Sequence, residues 1–282
     1  MKNIPVKVLT ILFLFICSSC KKKIQTERQK AKSSNIKYAK GFDIIDENGT
    51  KKLLIKSAYQ NSKEIFSYRI TSKIKEEITT NIVDQEILVP LDRIVVTSTT
   101  HIPMIELLNK ESHIVGFPNS NYVSSKKTRN LIDTGKITEI GKEGSLNTEI
   151  LLNLQPELVV GFGVSSADKT LTSIKKAGIN VIYNGDWLEK TPLGRAEWIK
   201  FFGVLFDKEQ QADSIFNVIE ANYLAIKEKA LHSVNSASVL SGAIMSKDIW
   251  NLPAGESFED DFLKDANLNY LWKDSKGKGS LS

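Results

Sequence analysis

Apolar residues between Asp207 and Leu231 recur at intervals of three and four positions, with polar residues between them. This spacing places the apolar side chains on one face of a helix, and neither Gly nor Pro interrupts the run. A helix of about 24 residues would span about 36 Å, and Asp207 is predicted to be its N-cap. We therefore predict a long helix that joins two α/β halves of the chain. Its apolar face comprises Ala212, Ile215, Phe216, Ile219, Tyr223, Ile226 and Ala230.

Before this helix, short apolar segments alternate with helical patterns, which indicates a parallel sheet with right-handed crossovers. The pattern predicts a first α/β lobe over residues 91–184 and connecting helices over residues 185–231. The predicted strands are Arg93–Thr97, Ser112–Gly116, Leu158–Gly161 and Asn180–Tyr183. The predicted helices are Met104–Leu108, Thr148–Leu154 after an Asn147 cap, and Ala167–Ala177, which Gly178 ends.

A small β region over residues 41–90 precedes the first lobe. It is predicted from the strand patterns Phe42–Ile45, Lys52–Ser57 and Ile65–Ile70, with a hairpin turn at Asn48-Gly49.

The long helix is followed by a second, shorter α/β pattern. We predict a strand at Ala237–Met245 and a helix at Glu259–Ala266. About fifty residues is the lower limit for an independent α/β lobe, so we expect residues 232–282 to form a truncated second lobe.

The first forty residues contain an export signal and a polar tether. The apolar run Val8–Cys17 follows two lysines and is too short to span a bilayer. The segment Cys17-Ser18-Ser19-Cys20 resembles a bacterial lipobox, whose last Cys is acylated after cleavage. We therefore predict a lipoprotein signal at residues 1–19 and a tether at residues 20–40, anchored to a membrane through Cys20. The alternative is a plain secretory signal in which Cys20 is incidental.

Composition narrows the classes of function. The 282 residues carry a net charge of +5, and no helix pattern combines basic with aromatic residues, so we expect no nucleic-acid partner. Both cysteines lie near the N-terminus, which excludes a disulfide framework or thiolate metal site from the folded body. The histidines His101, His113 and His232 are not at metal-ligand spacing, so we predict neither a metal site nor a cofactor.

Several segments of the first lobe resemble a known family. They are Arg93–His101, Ile114–Gly116, Asn147–Val160 with its Leu-Gln-Pro-Glu-Leu-Val-Val run, and Ile174–Val181. In this order and spacing they are similar to the iron-siderophore and cobalamin class of periplasmic substrate-binding proteins of ABC importers. The resemblance implies two α/β lobes joined by one long helix, with the ligand bound between the lobes.

The same resemblance implies a function and a partner. It describes a lipoprotein of the bacterial cell envelope, facing the periplasm, that delivers a ferric siderophore, haem or cobalamin-type ligand to the membrane subunits of an ABC importer. It also implies an exposed Glu at the start of the helix before the Leu-x-Pro-x-Leu-Val strand, which pairs with arginines of the importer. That position is Glu149, whose alternative role is to complement its own helix end.

Residues that follow predicted strands are the candidate ligand contacts, because α/β folds present ligands at such loops. Thr100 and His101 follow the first strand, and His101 is either a ligand contact or a structural residue. Phe162 and Trp187 follow two further strands; Trp187 is a candidate aromatic wall, and Phe162 is either a contact or a packing residue. Arg195 is a candidate partner of a ligand carboxylate, with a salt bridge to Glu189 or Glu197 as the alternative.

Two further interpretations concern the second lobe and catalysis. Trp250 either faces the cleft from the second lobe or packs in its core. The alternative function is an envelope hydrolase or transferase on an α/β scaffold, supported by the hydroxyls that precede His101. Adjacency in sequence is not the geometry of a catalytic triad, so we predict a binding protein without catalytic residues.

Overall fold

The computed structural model of the chain describes residues 34–47, 50–73, 85–142, 144–163, 169–234, 236–244, 249–277 and 280–281. The predicted signal, Cys20 and the turn at Asn48-Gly49 lie outside these residues. Among the helices of the described residues, none is long and apolar enough to cross a membrane.

Four strands form a sheet at the start of the described chain: β1 (Phe42–Glu47), β2 (Thr50–Ile55), β3 (Phe66–Ser72) and β4 (Gln85–Val89). They lie in the order β1-β2-β3-β4, antiparallel except for β4, which runs parallel to β3. The sequence predicts the first three strands to within two residues at each end. It does not predict β4, in which Ile87 and Val89 are buried while Glu86 and Leu88 are exposed.

The next elements build the first α/β lobe. Its strands are β5 (Ile94–Val96), β6 (Ile114–Phe117), β7 (Thr138–Glu139), β8 (Gly141–Lys142), β9 (Ser145–Leu146), β10 (Leu158–Gly161) and β11 (Val181–Tyr183). Its helices are α1 (His101–Leu107), α2 (Lys126–Asp133), α3 (Thr148–Leu154) and α4 (Lys169–Lys176). Five strands form a sheet in the order β11-β10-β5-β6-β7, and every pair in it is parallel. The predicted parallel sheet is therefore confirmed.

This parallel sheet is buried on both faces, which explains the continuous apolar runs of its strands. Successive side chains of a strand point to opposite faces. Ile94 and Val96 of β5 therefore join a core that includes residues of the N-terminal sheet, whereas Val95 joins a second core against α3 and α4. The N-terminal sheet thus shares one hydrophobic core with the first lobe.

Three helices follow the first lobe: α5 (Pro192–Glu197), α6 (Ile199–Leu205) and α7 (Glu209–Leu231). The 23-residue α7 confirms the predicted long helix. The predicted Asp207 cap is wrong, because Asp207 adopts a left-handed φ of 53° and Lys208 occupies the cap position without a side-chain cap bond. The predicted apolar face is buried at Phe216, but Ile226 in the second half of the helix is 67% exposed.

The second lobe contains one helix and five short strands among the described residues. They are β12 (Ser238–Val239), β13 (Ala243–Ile244), β14 (Trp250–Pro253), α8 (Phe258–Asp265), β15 (Asn269–Tyr270) and β16 (Ser280–Leu281). The single strand predicted at Ala237–Met245 is wrong, because Gly242, with a φ of 143°, separates β12 from β13. The Tyr223 hydroxyl of α7 donates a hydrogen bond to Asp265 of α8 at 2.7 Å, which attaches this lobe to the long helix.

Candidate functional site

The candidate site lies at the carboxyl edge of the parallel sheet. Strands β11, β10 and β5 are neighbours and parallel, so the loops that follow them emerge at the same edge. In open α/β sheets ligands bind outside this edge. Three of these loops contain predicted contacts, namely Thr100 and His101 after β5, Phe162 after β10 and Trp187 after β11.

Phe162 and Trp187 form an aromatic pair at this edge. Their ring centroids are 5.2 Å apart at an interplanar angle of 47°, and both side chains are half-buried. The backbone N–H of Phe162 donates to Thr97 Oγ1 at 2.8 Å, which ties the β10 loop to the β5 loop. Trp187 lies in a short 3₁₀ turn, Asp186–Leu188. The structure therefore brings together two of the residues that the sequence assigns to the site.

Arg195 of α5 lies beside this pair. Its Nη2 donates to the carbonyl oxygen of Trp187 at 3.1 Å, and its guanidinium carbon lies 3.6 Å from the ring centroid of Phe258. Phe258 begins α8, so this contact joins the edge of the first lobe to the second lobe. A cation over an aromatic face is attracted by the ring quadrupole.

The alternative for Arg195, a salt bridge to Glu189 or Glu197, is not found. Arg195 Nε instead donates to the backbone carbonyl of Glu189 at 3.4 Å. Burial lowers the pKa of Arg195, although the nearby Asp186, Glu259 and Glu189 carboxylates act in the opposite direction. The guanidinium remains charged at neutral pH. Within the described part of the chain, no carboxylate forms an ion pair with it.

His101 is not exposed at this edge. It is fully buried at the start of α1, and its ring centroid lies 5.6 Å from that of Phe202 on α6. Neither ring nitrogen has a hydrogen-bond partner among the described residues. Burial lowers the pKa of His101, and the Asp186 charge offsets part of that effect, so the imidazole is neutral at pH 7. The structure favours the structural alternative for His101.

The orientation of His101 also tests the alternative function, a hydrolase or transferase that uses the hydroxyls before His101. Ser98 Oγ lies 2.9 Å from Thr100 Oγ1, and both residues are on the surface of the β5 loop. The His101 ring points into the core, and in the described structure neither of its nitrogens bonds to Ser98 Oγ; only the His101 backbone N–H donates, to the Ser98 carbonyl oxygen. A nucleophile activated by histidine requires that hydrogen bond. Among the described residues at this edge, Ser98 and Thr100 are therefore not activated by the His101 ring.

Two polar residues of the site, Asn184 and Asp186, were not predicted as contacts. Asn184 Oδ1 accepts a hydrogen bond from the Asp186 backbone N–H at 2.9 Å. Asn184 Nδ2 and Asp186 Oδ1 are buried and, in the described residues, have no hydrogen-bond partner. The available signal was their position directly after β11. The sequence also did not predict Phe258 as a site residue. Its contact with Arg195 depends on how the two lobes are arranged, which no local sequence pattern specifies.

Trp250 and Glu149 lie apart from this cluster. Trp250 is 40% exposed on β14, and no described ring or cation contact connects it with Phe162, Trp187 or Arg195. Glu149 is exposed in the first turn of α3, where Asn147 caps the helix as predicted by accepting the Glu149 N–H at 3.0 Å. Glu149 is therefore free to meet a partner from solvent.

A cavity of about 160 Å³ lies elsewhere, between the segment before β1, the β1–β2 hairpin and the start of α7. Four of its charged side chains form pairs: Lys51 with Glu209, and Lys200 with Asp213 at 3.3 Å. None of its lining residues belongs to the loops at the carboxyl edge of the parallel sheet. No described group of three or more His, Cys, Asp or Glu side chains is arranged to hold a metal ion.

Comparisons with known proteins agree with this architecture. Residues 94–282 match the family model for periplasmic binding protein. The uncharacterized lipoprotein MJ0878 of Methanocaldococcus jannaschii is 25% identical over 321 aligned positions, which cover 99% of this chain and 75% of that protein.

Two solved structures are similar in fold. The periplasmic haem-binding protein HutB of Vibrio cholerae has a TM-score of 0.56 at 18% identity, covering 68% of this chain and 70% of its own. The periplasmic haem-binding protein RhuT of Roseiflexus sp. RS-1 has a TM-score of 0.54 at 20% identity, covering 68% of this chain and 71% of its own. At these identities the likeness supports the fold alone.

The family match begins at the first strand of the parallel sheet and extends over the connecting helices and the second lobe. The N-terminal sheet lies before it. The observed α/β lobes joined by one long helix have the architecture that the sequence resemblance implied. The chain belongs to the periplasmic binding protein family.

Proposed function

We propose that the protein is the solute-binding lipoprotein of an ABC importer. It captures a ferric siderophore, haem or cobalamin-type ligand between its lobes and delivers it to the permease. The observation that carries this proposal is the cluster of Phe162, Trp187 and Arg195 at the carboxyl edge, with Phe258 of the second lobe against Arg195. The aromatic rings suit a large planar ligand, and the guanidinium suits its anionic groups.

The charge of Arg195 favours an anionic ligand. A cation that is partly removed from water is costly unless an anion is placed beside it. The described hydrogen-bond and ring partners of Arg195 are backbone carbonyls and the Phe258 ring. The nearby carboxylates of Asp186, Glu189 and Glu259 form no described ion pair with it, so a ligand carboxylate would be its direct ionic partner. Haem carries such carboxylates, and HutB and RhuT are named as haem-binding proteins. We therefore place haem, or another carboxylate-bearing iron chelate, ahead of cobalamin.

Replacing Trp187 with alanine is expected to weaken ligand binding about fivefold, because a stacked aromatic contact contributes on the order of 1 kcal/mol. Ligand binding is measured by titration of the purified protein with ferric protoporphyrin, followed by its absorption. The control, Trp250→Ala, removes a tryptophan from β14, away from the candidate site. It should weaken ligand binding less than Trp187→Ala does. Affinity in Trp187→Ala equal to that of the unaltered protein would remove Trp187 from the site.

We further propose that Glu149 docks the first lobe on the permease. The positive end of a helix dipole favours a carboxylate in the first turn, and Glu149 lies there with its side chain exposed. An arginine of the permease would bind that carboxylate with defined geometry. Glu149→Arg is expected to leave the dissociation constant of the ligand unchanged and to reduce uptake in cells at least about tenfold. Unimpaired uptake by cells that carry Glu149→Arg would contradict the docking role.

The proposed location is the cell envelope, with a lipid on Cys20 as the anchor. The support is the signal pattern before Cys20 and the naming of the relative MJ0878 as a lipoprotein. One acyl group gives marginal membrane affinity, and stable anchoring requires a second acyl chain or a basic patch. Lys21-Lys22-Lys23 directly after Cys20 either remains a solvated charge run or adds attraction to anionic headgroups.

A further inference from the structure

The loop between β2 and β3, residues 56–65, lies against the loops of the ligand site. A side-chain carbon at Gly185 would overlap the carbonyl oxygen of Ser57. A side-chain carbon at Gly163 would lie 2.7 Å from the carbonyl oxygen of Ala58. Only glycine allows a backbone to approach this closely. The β2–β3 loop therefore touches both the β10 loop and the β11 loop.

These two glycines are next to the residues that form the aromatic pair. Gly163 directly follows Phe162, and Gly185 lies two positions before Trp187. The base of the β2–β3 loop is therefore a direct neighbour of the proposed binding surface. It belongs to the N-terminal sheet, which precedes the residues that match the family model. A wall built from this loop lies outside the residues that match the family model.

Aromatic packing holds the base of the loop at the end of β11. The ring of Tyr59, which is buried, packs edge-on against Tyr183 at a centroid distance of 6.4 Å and an angle of 79°. The ring of Phe66 packs against the same Tyr183 at 4.8 Å. The Tyr59 hydroxyl donates to Glu64 Oε2 at 3.2 Å and closes the loop on itself. The loop is therefore attached firmly enough to act as a wall.

The tip of the loop, in contrast, is exposed. Gln60, Asn61 and Lys63 are open to solvent, and Asn61 has the left-handed φ of 61° that a tight turn uses. These side chains offer amide and ammonium donors, and the exposed Glu64 carboxylate next to Lys63 accepts the Tyr59 hydroxyl. Such donors recognise the oxygen atoms of an anionic chelate and not an apolar surface.

We infer that the β2–β3 loop forms one wall of the ligand site and selects anionic chelates, with Lys63 supplying a positive charge in addition to Arg195. This inference rests on the proposed function and adds a selectivity element to it. A charge at the rim of a site raises the affinity for ligands of opposite charge and leaves neutral ligands nearly unaffected.

The test compares two charge reversals with the same change in net charge. Lys63→Glu alters the loop, and Lys176→Glu alters an exposed lysine at the end of α4, on the helix that covers the other face of the parallel sheet. The probes are ferric protoporphyrin, which carries two carboxylates, and a neutral ferric tris-hydroxamate complex. Relative to Lys176→Glu, Lys63→Glu is expected to weaken protoporphyrin binding at least about tenfold and hydroxamate binding by less than about twofold.

The possible results distinguish a failure of the selective wall from a failure of the proposed function. Equal dissociation constants for the two variants, or an equal loss for both probes in Lys63→Glu, would overturn the selective wall while the proposed function stands. A preference of the unaltered protein for the neutral complex would also overturn it. If the unaltered protein binds neither probe, the haem and hydroxamate-siderophore forms of the proposed function fail, and the inference fails with them.

Discussion

Replacing Glu197 with alanine is expected to lower the free energy of unfolding by about 3–5 kcal/mol, the range for removing one partner of a buried ion pair. The Glu197 carboxylate is fully buried and accepts hydrogen bonds from the backbone N–H groups of Lys37, Tyr38 and Ala39. Lys200, which is also buried, pairs with the same carboxylate at 3.1 Å. Without Glu197, three backbone donors lose their acceptor and a buried ammonium loses one of its anions.

Equilibrium unfolding in urea, followed by circular dichroism, measures this loss. Glu228→Ala is the matched control, because Glu228 is an exposed carboxylate on α7 that pairs with His232 at 2.8 Å. An exposed pair of this kind contributes little, so the control should change the free energy of unfolding by less than about 0.5 kcal/mol. If Glu197→Ala costs no more than Glu228→Ala, the buried carboxylate does not hold the segment before β1.

Phe216→Ala is expected to cost about 3–5 kcal/mol of unfolding free energy, because it removes a large side chain from a closed core. Phe216 is fully buried on α7. Its ring centroid lies 6.1 Å from that of Tyr38 and 4.8 Å from Lys200 Nζ. The cavity left by the ring would separate the long helix from both the N-terminal segment and α6.

The same unfolding measurement includes a control from the same helix. Val218→Ala removes apolar atoms two positions further along, where the side chain is 59% exposed, so its cost should stay below about 0.5 kcal/mol. If Phe216→Ala lowers the free energy of unfolding as little as Val218→Ala does, Phe216 does not hold α7 in the core.

The candidate site was predictable as a set of loops but only in part as a set of side chains. Phe162 and Trp187 follow buried strands, and the carboxyl ends of parallel strands meet at one edge, so their proximity follows from local patterns. His101 occupies an equivalent position, yet its ring packs on Phe202 in the core. Which way a side chain turns at the start of a helix depends on what that helix packs against, and α6 lies about a hundred residues away in the sequence.

Local patterns in the sequence determined the elements of this protein. The period of the apolar residues specified α7, the apolar runs specified the buried parallel strands, and Asn147 specified the start of α3. These features depend on neighbours within one or two turns of the chain. Tertiary structure decided the packing of the β2–β3 loop on Gly163 and Gly185 and the placement of Arg195 against Phe258. Those contacts join segments far apart in sequence, and they form only when hydrophobic cores bring whole elements together.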